Sequence, residues 1–178
     1  MKHDDPWLRD LQDLKRIPRS GWFWAGVERP ESVAEHSYAT GLLAWRLAGP
    51  AGLDANRCLL MGLLHDFHEV RLGDIPTPFK RAIGLDSVRE AESSVEREQW
   101  EGDEATLELL EELRLGESGE AKLVRAVDEL ELLLQALRYL RSGRAEAAAF
   151  LEGARQGEAA RHPATAELAA AVLDKAGL

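Results

Sequence analysis

The chain of 178 residues contains one cysteine, Cys58, so it cannot close an internal disulfide. That thiol lies in an apolar run and reads as a packed side chain. No stretch approaches the run of about 18 apolar residues that a membrane span needs, so no membrane partner is expected. The first residues, Met1-Lys-His-Asp-Asp-Pro6, are charged and lack the apolar centre of a secretory signal. A cytoplasmic setting is the default expectation. Basic clusters are missing as well: 22 Lys and Arg are scattered among 32 Asp and Glu, for a net charge of −10. Nucleic-acid polymers are held largely through phosphate contacts on a basic face, so the charge argues against a polymer partner. A small anion is not, because a bound cation can reverse the field inside one pocket.

Alternating β-type runs are also absent, while Ala, Leu, Glu and Arg dominate. The chain therefore reads as all-α, a single compact domain over residues 1–178. A first helix is expected over Pro6–Lys15. Residues 18–30 read as a loop whose aromatic rings, in Arg19-Ser-Gly-Trp-Phe-Trp24, suggest a lid or pocket wall. Ser32 with Glu35 predicts a capping box for a second helix that ends at Gly49-Pro50. A third helix starts near Asp54 and runs apolar into His65-Asp66. The segment Leu72–Phe79, with two prolines and a glycine, is expected to preclude a regular helix. Acidic amphipathic helices follow near Ser87–Trp100 and Glu104–Leu113. A long, largely buried helix spans Glu120–Arg141, with Leu123, Val127, Leu130, Leu134 and Leu137 on one stripe. The core is expected over about residues 8–141, and the Ala-rich tail, 144–178, reads as one or two covering helices.

The dipeptide His65-Asp66 closes the apolar run that begins at Cys58. Burying a carboxylate beside an imidazole is costly unless both are compensated, and a divalent cation compensates both. His36 lies on an apolar helix face, where a lone histidine is ordinarily a core residue. Asp128 lies in a mostly apolar helix, where an arginine or a metal are equal partners for it. Together the four residues form an N2O2 set suited to one divalent transition ion: Co, Mn, Ni, Fe or Zn. Such an ion activates water and polarises a phosphoryl group, which points to phosphomonoester hydrolysis. His68 stands roughly 200° around a helix from Asp66 and reads as structural or surface. His3 and His162 lie near the termini. With no further histidine between His68 and Asp128, one ion per site is expected.

Other residues around this set also carry possible chemistry. Glu69 follows Asp66 by three residues, on the same side of a continuing helix, where a carboxylate can act as general acid or base. Asp74 opens the turn Asp74-Ile-Pro-Thr77 and either shapes that turn or orients water or a substrate hydroxyl. Arg19 and Lys80 are candidate phosphate partners.

The order His36, His65-Asp66, Asp128 resembles the HD superfamily of metal-dependent phosphohydrolases, and the flanking residues sharpen the resemblance. Pro30-Glu-Ser-Val-Ala-Glu-His-Ser37 and His65-Asp-Phe-His-Glu-Val-Arg-Leu-Gly-Asp-Ile-Pro-Thr-Pro78 are similar to segments of 5′-deoxynucleotidases and their close HD-domain relatives. Val127-Asp-Glu-Leu-Glu-Leu-Leu-Leu-Gln-Ala136 resembles their third segment. The resemblance covers about residues 8–141. It implies an all-helical fold, usually dimeric, that removes the 5′-phosphate from deoxyribonucleoside monophosphates. By the same resemblance His36, His65, Asp66 and Asp128 ligate the ion, Glu69 acts on the attacking water or leaving oxygen, and Asp74 and Thr77 contact substrate. An Arg-Trp pair of the bacterial enzymes, which orients phosphate and excludes the 2′-hydroxyl, is split here into Arg19-Ser-Gly-Trp22, closer to the Arg-Thr-Gly-Trp of the broader relatives. Hydrolysis of another small phosphate ester, a cyclic nucleotide or sugar phosphate, and a non-catalytic binding module are the alternatives.

Overall fold

In the computed structural model, residues 6–178 are described; His3 lies outside them. Among the described residues the regular elements are helical, and the one extended pairing is a bridge between Pro18 and Ser32. The helices are α1 (Pro6–Asp13), α2 (Val33–Ala48), α3 (Ala55–Leu64), α4 (Glu69–Leu72), α5 (Thr77–Ile83), α6 (Leu85–Gln99), α7 (Glu104–Leu115), α8 (Gly119–Arg141), α9 (Glu158–Arg161) and α10 (Ala166–Ala176). No helix among them is long and apolar enough to cross a membrane.

Local chemistry sets most of these boundaries. At α2 the Ser32 side chain accepts from the Glu35 N–H, and the Glu35 carboxylate accepts from the Ser32 N–H, the expected capping box. Asp54 caps α3 by accepting from the N–H groups of Asn56 and Arg57, and Ser118 caps α8 at Ala121. Two segments differ from expectation in kind. The aromatic stretch after Arg19 is a 3-10 helix, Ser20–Ala25, closed by Gly26 at φ 67°. The segment thought to preclude a helix yields α5, which starts at Thr77. Pro78 falls in its first turn, where no intrahelical N–H is needed, so it starts the helix.

α8 is the central element, with α2, α3, α7 and the tail packed around it. One apolar cluster joins Ala44, Cys58, Met61, Leu109, Leu123 and Val127 across α2, α3, α7 and α8. A second joins Trp22, Leu130, Leu133 and Leu137 to the tail residues Leu151 and Leu173. The tail covers α8 largely through alanines: Ala147, Ala159 and Ala169 are fully buried, and small side chains let these helices lie close to their neighbour. Leu134, placed by its spacing on the buried stripe of α8, is instead exposed.

α2 and α3 approach each other closely at a pair of glycines. A Cβ placed on Gly62 would stand 2.7 Å from Gly41 Cα and 2.8 Å from Gly41 N. Only a glycine pair allows this contact, and it brings the faces that carry His36 and His65 together.

Candidate metal centre

His36 projects from the end of the first turn of α2, His65 sits at the end of α3, Asp66 follows it, and Asp128 lies on the middle of α8. Their side chains converge. His36 Nε2 is 3.3 Å from His65 Nε2, 3.0 Å from Asp128 Oδ1 and 3.8 Å from Asp66 Oδ2. His65 Nε2 is 3.0 Å from Asp66 Oδ2 and 3.8 Å from Asp128 Oδ1. Metal–ligand bonds of about 2.0–2.2 Å put neighbouring donors about 2.8–3.6 Å apart in octahedral or tetrahedral shells. The five separations overlap that range and exceed it only slightly at the upper end.

The opposite ring nitrogens fix what the imidazoles present to this centre. His36 Nδ1 donates to Glu131 Oε2 at 2.6 Å, and His65 Nδ1 donates to the Gly62 carbonyl at 2.9 Å. With the protons on Nδ1, both Nε2 atoms direct lone pairs inward, where two carboxylate oxygens do the same. The donor atoms of His36, His65 and Asp66 lie within 4.8 Å of one another, and Asp128 Oδ1 closes on both imidazoles; acceptors so close repel each other unless a cation or a proton lies between them. His36 reflects that demand. Burial and Arg19 push its pKa down, but hydrogen bonds to Asp128 and Glu131 outweigh them and raise it to about 10. Asp66 is held well below the carboxylate range: burial opposes this, and His65, Arg19 and His36 overcome it. Asp128 is lowered against burial by His36 and His65. A hard-to-borderline divalent ion fits this donor set.

A cavity of about 820 Å³ opens over the centre. Its polar wall includes Arg19, Asp66, Glu69, Asp74, Thr77 and Lys80. Arg19 Nη1 lies 3.1 Å from Asp66 Oδ2. Asp74 Oδ2 accepts from the Ser20 N–H and hydroxyl, which ties the start of the 3-10 helix to the turn before α5. Lys80 donates to Glu92 at 2.9 Å. Trp22 reaches the cavity but is 1% exposed, with its indole N–H spent on Glu31 at 2.9 Å. Glu69 is 3% exposed, and its Oε2 is buried with no hydrogen-bond partner among the described residues. Burial, then Asp66 and Asp74, drive its pKa well above the usual range.

Glu69 reaches the cavity by a different route from the continuing helix expected. α3 stops at Leu64, residues 65–68 form a turn in which Glu69 N–H donates to the Asp66 carbonyl, and α4 begins at Glu69. His68 is buried and not on the surface. Its ring nitrogens face Glu92 at 3.5 Å and Glu96 at 3.6 Å on α6, which raise its pKa to about 10 against burial. One ring nitrogen still lies within 4.8 Å of Asp66 and Glu69 carboxylate oxygens. His162 caps a turn, accepting from the Ala164 N–H, far along the chain from this centre.

Four residues around the site are additions to the sequence-derived set. Glu131 follows Asp128 by three residues, so a shared helix face was available as a signal. Glu31, beside Glu131 and Trp22, gave no local signal. Neither did Glu146 and Phe150, which enter the cavity wall from the tail.

The model of a family described as HD domain matches residues 11–168, so it extends into the tail beyond the 8–141 of the resemblance. The human protein 5′-deoxynucleotidase HDDC2 is 35% identical over 135 residues, covering 74% of this chain and 66% of its own length. The 5′-deoxynucleotidase hdd1 of Schizosaccharomyces pombe is 34% identical over 145 residues, covering 76% and 72%. The chain thus spans about two thirds of the length of these curated relatives. Among solved structures, the PH0347 protein of Pyrococcus horikoshii OT3 is similar with a TM-score of 0.78 and 30% identity, covering 96% of each chain.

Proposed function

The chain belongs to the HD domain family, and from that premise we propose that it is a metal-dependent phosphohydrolase that removes the 5′-phosphate from (deoxy)ribonucleoside monophosphates. The names of the human and fission-yeast relatives support the substrate class. The observation that carries the reading is the convergence of four inward-facing acceptors, His36, His65, Asp66 and Asp128, beneath a cavity large enough for a nucleotide. We assign these four as ligands of one divalent transition ion, Co, Mn, Ni, Fe or Zn. When bound, such an ion lowers the pKa of a water and polarises the phosphoryl oxygen.

The remaining steps fall to the protein. Arg19 is permanently charged and keeps donors beyond the one aimed at Asp66, so it holds phosphate oxygens in the cavity. Lys80 adds a second positive charge on the same wall. Burial, then the Asp66 and Asp74 carboxylates, raise the pKa of Glu69 well above its usual range, which favours the protonated carboxyl. As water adds to phosphorus and the bond to the 5′-oxygen breaks, that proton passes to the 5′-oxygen, so the nucleoside leaves as an alcohol and inorganic phosphate is released. Asp74, anchored by Ser20, and Thr77 position the sugar-phosphate. A sugar phosphate alone would leave the apolar half of an 820 Å³ cavity uncovered, which favours a nucleotide. A purely structural module has no use for a buried, unpartnered carboxyl at Glu69.

The test is a metal-by-substrate matrix of phosphate release that includes ribo- and deoxyribonucleotide pairs. Release from nucleoside 5′-monophosphates, lost in Asp66→Ala, is expected. Full turnover in Asp66→Ala with metal still bound would remove Asp66 from the assignment.

We further infer that the chain works as a homodimer. On α2, Tyr38, Leu42 and Trp45 recur at helical spacing and are all exposed, an apolar face suited to a second copy.

A further inference from the structure

The cavity has a second wall, for which the phosphate chemistry gives no use. It is built by Trp24 from the 3-10 helix Ser20–Ala25, Leu132 from α8, and Ala149 and Phe150 from the tail's 3-10 segment Ala145–Phe150. Phe150 is braced by Trp22, with ring centroids 4.4 Å apart. Trp24 is 59% exposed although it borders a cavity. An indole left in water at a cavity edge gains by being covered by a flat apolar ligand.

Two carboxylates stand on this side. Glu129 is occupied, accepting from the Ala159 N–H at 2.6 Å. Glu146 has no hydrogen bond or ion pair among the described residues, and it lines the same wall. An ionised carboxylate is an acceptor only, so what it can recognise is a group rich in N–H donors. An aromatic ring carrying N–H donors, held beyond a phosphate site, is a nucleobase.

Resting on the nucleotide reading above, we propose that Trp24 and the tail segment Ala145–Phe150 form the nucleobase subsite, with the two rings packing on the base and Glu146 accepting its N–H donors. The chemistry ranks the bases. Guanine presents two adjacent N–H donors to a carboxylate. Adenine and cytosine each offer one exocyclic amine, and thymine offers a single N–H flanked by carbonyl oxygens that a carboxylate repels. Guanine is favoured and thymine disfavoured.

The experiment measures kcat/KM of the full, Co-loaded chain on dGMP, dAMP, dCMP, dTMP and the base-free 2-deoxyribose 5-phosphate. Wild type is compared with Trp24→Ala and Glu146→Gln, both changes at exposed positions. Loss of an aromatic platform lowers nucleotide kcat/KM by about tenfold, mostly through KM, and lowers the base-free value far less. Glu146→Gln narrows the guanine-to-thymine ratio. Equal losses on nucleotides and the base-free ester in Trp24→Ala, or a base order unmoved by Glu146→Gln, would overturn the subsite while leaving the phosphatase reading intact. Wild-type release from none of the five substrates would overturn both.

Discussion

His36 is held by carboxylates on both ring nitrogens, Asp128 on Nε2 and Glu131 on Nδ1. The Glu131 contact fixes the tautomer and raises the basicity of Nε2, as outer carboxylates do for histidine ligands. Glu131→Gln is therefore expected to weaken Co or Mn affinity by about 10- to 100-fold, read by competition against a chelator. Unchanged affinity would reduce Glu131 to a packing residue. Glu31 gives a second prediction. Burial first and Glu131 next raise its pKa from 4.5 to about 7, against the opposing Trp22 hydrogen bond. A carboxyl with a raised pKa in the folded state contributes stability below its unfolded pKa and loses it as pH rises through the folded value. Wild type should thus lose stability relative to Glu31→Gln as pH climbs from 4.5 to above 7, a gap that urea unfolding at several pH values would show. A constant gap would contradict it. At this scale His65-Asp66 was legible because an apolar run ends in two polar groups. Glu31 was not, because only the fold brings it beside Glu131.

Among the elements, the α2–α3 contact sets the spacing of the two histidines. Ala at position 62 gains about 1 kcal/mol of helix propensity, yet its Cβ meets Gly41 backbone at under 3 Å. Backbone cannot rotate aside as a flexible side chain would, so the clash wins. Gly62→Ala should cost about 1–3 kcal/mol and weaken metal binding as His36 and His65 separate; unfolding and chelator titrations read the two effects. A variant as stable and as tight as wild type would mean that the helices shift without consequence. Helix starts were legible where a side chain caps them, as at Ser32. The start of α5 was misread because Pro78 looked like a breaker when it occupies a first turn. The side on which Glu69 lies was read correctly for the wrong reason, since the turn at 65–68 replaces the assumed helix.

For the whole molecule, the same apolar excess that builds the core leaves Tyr38, Leu42 and Trp45 in water on α2. Trp45→Glu should convert a dimer to a monomer in light scattering, without unfolding a half-exposed position; a wild-type monomer would contradict the dimer. The tail, unassigned from sequence beyond its helical, Ala-rich pattern, packs into the α8 core and supplies part of the cavity wall, a tertiary contact that no local pattern announces. One ion held by His36, His65, Asp66 and Asp128 is proposed to make this chain a phosphatase. The most direct test is phosphate release from a deoxynucleoside 5′-monophosphate with the chain stripped by chelator and then titrated with Co or Mn. Silence in the stripped protein and recovery that saturates near one ion per chain is the predicted result. Undiminished release in the chelated, metal-free protein would contradict it.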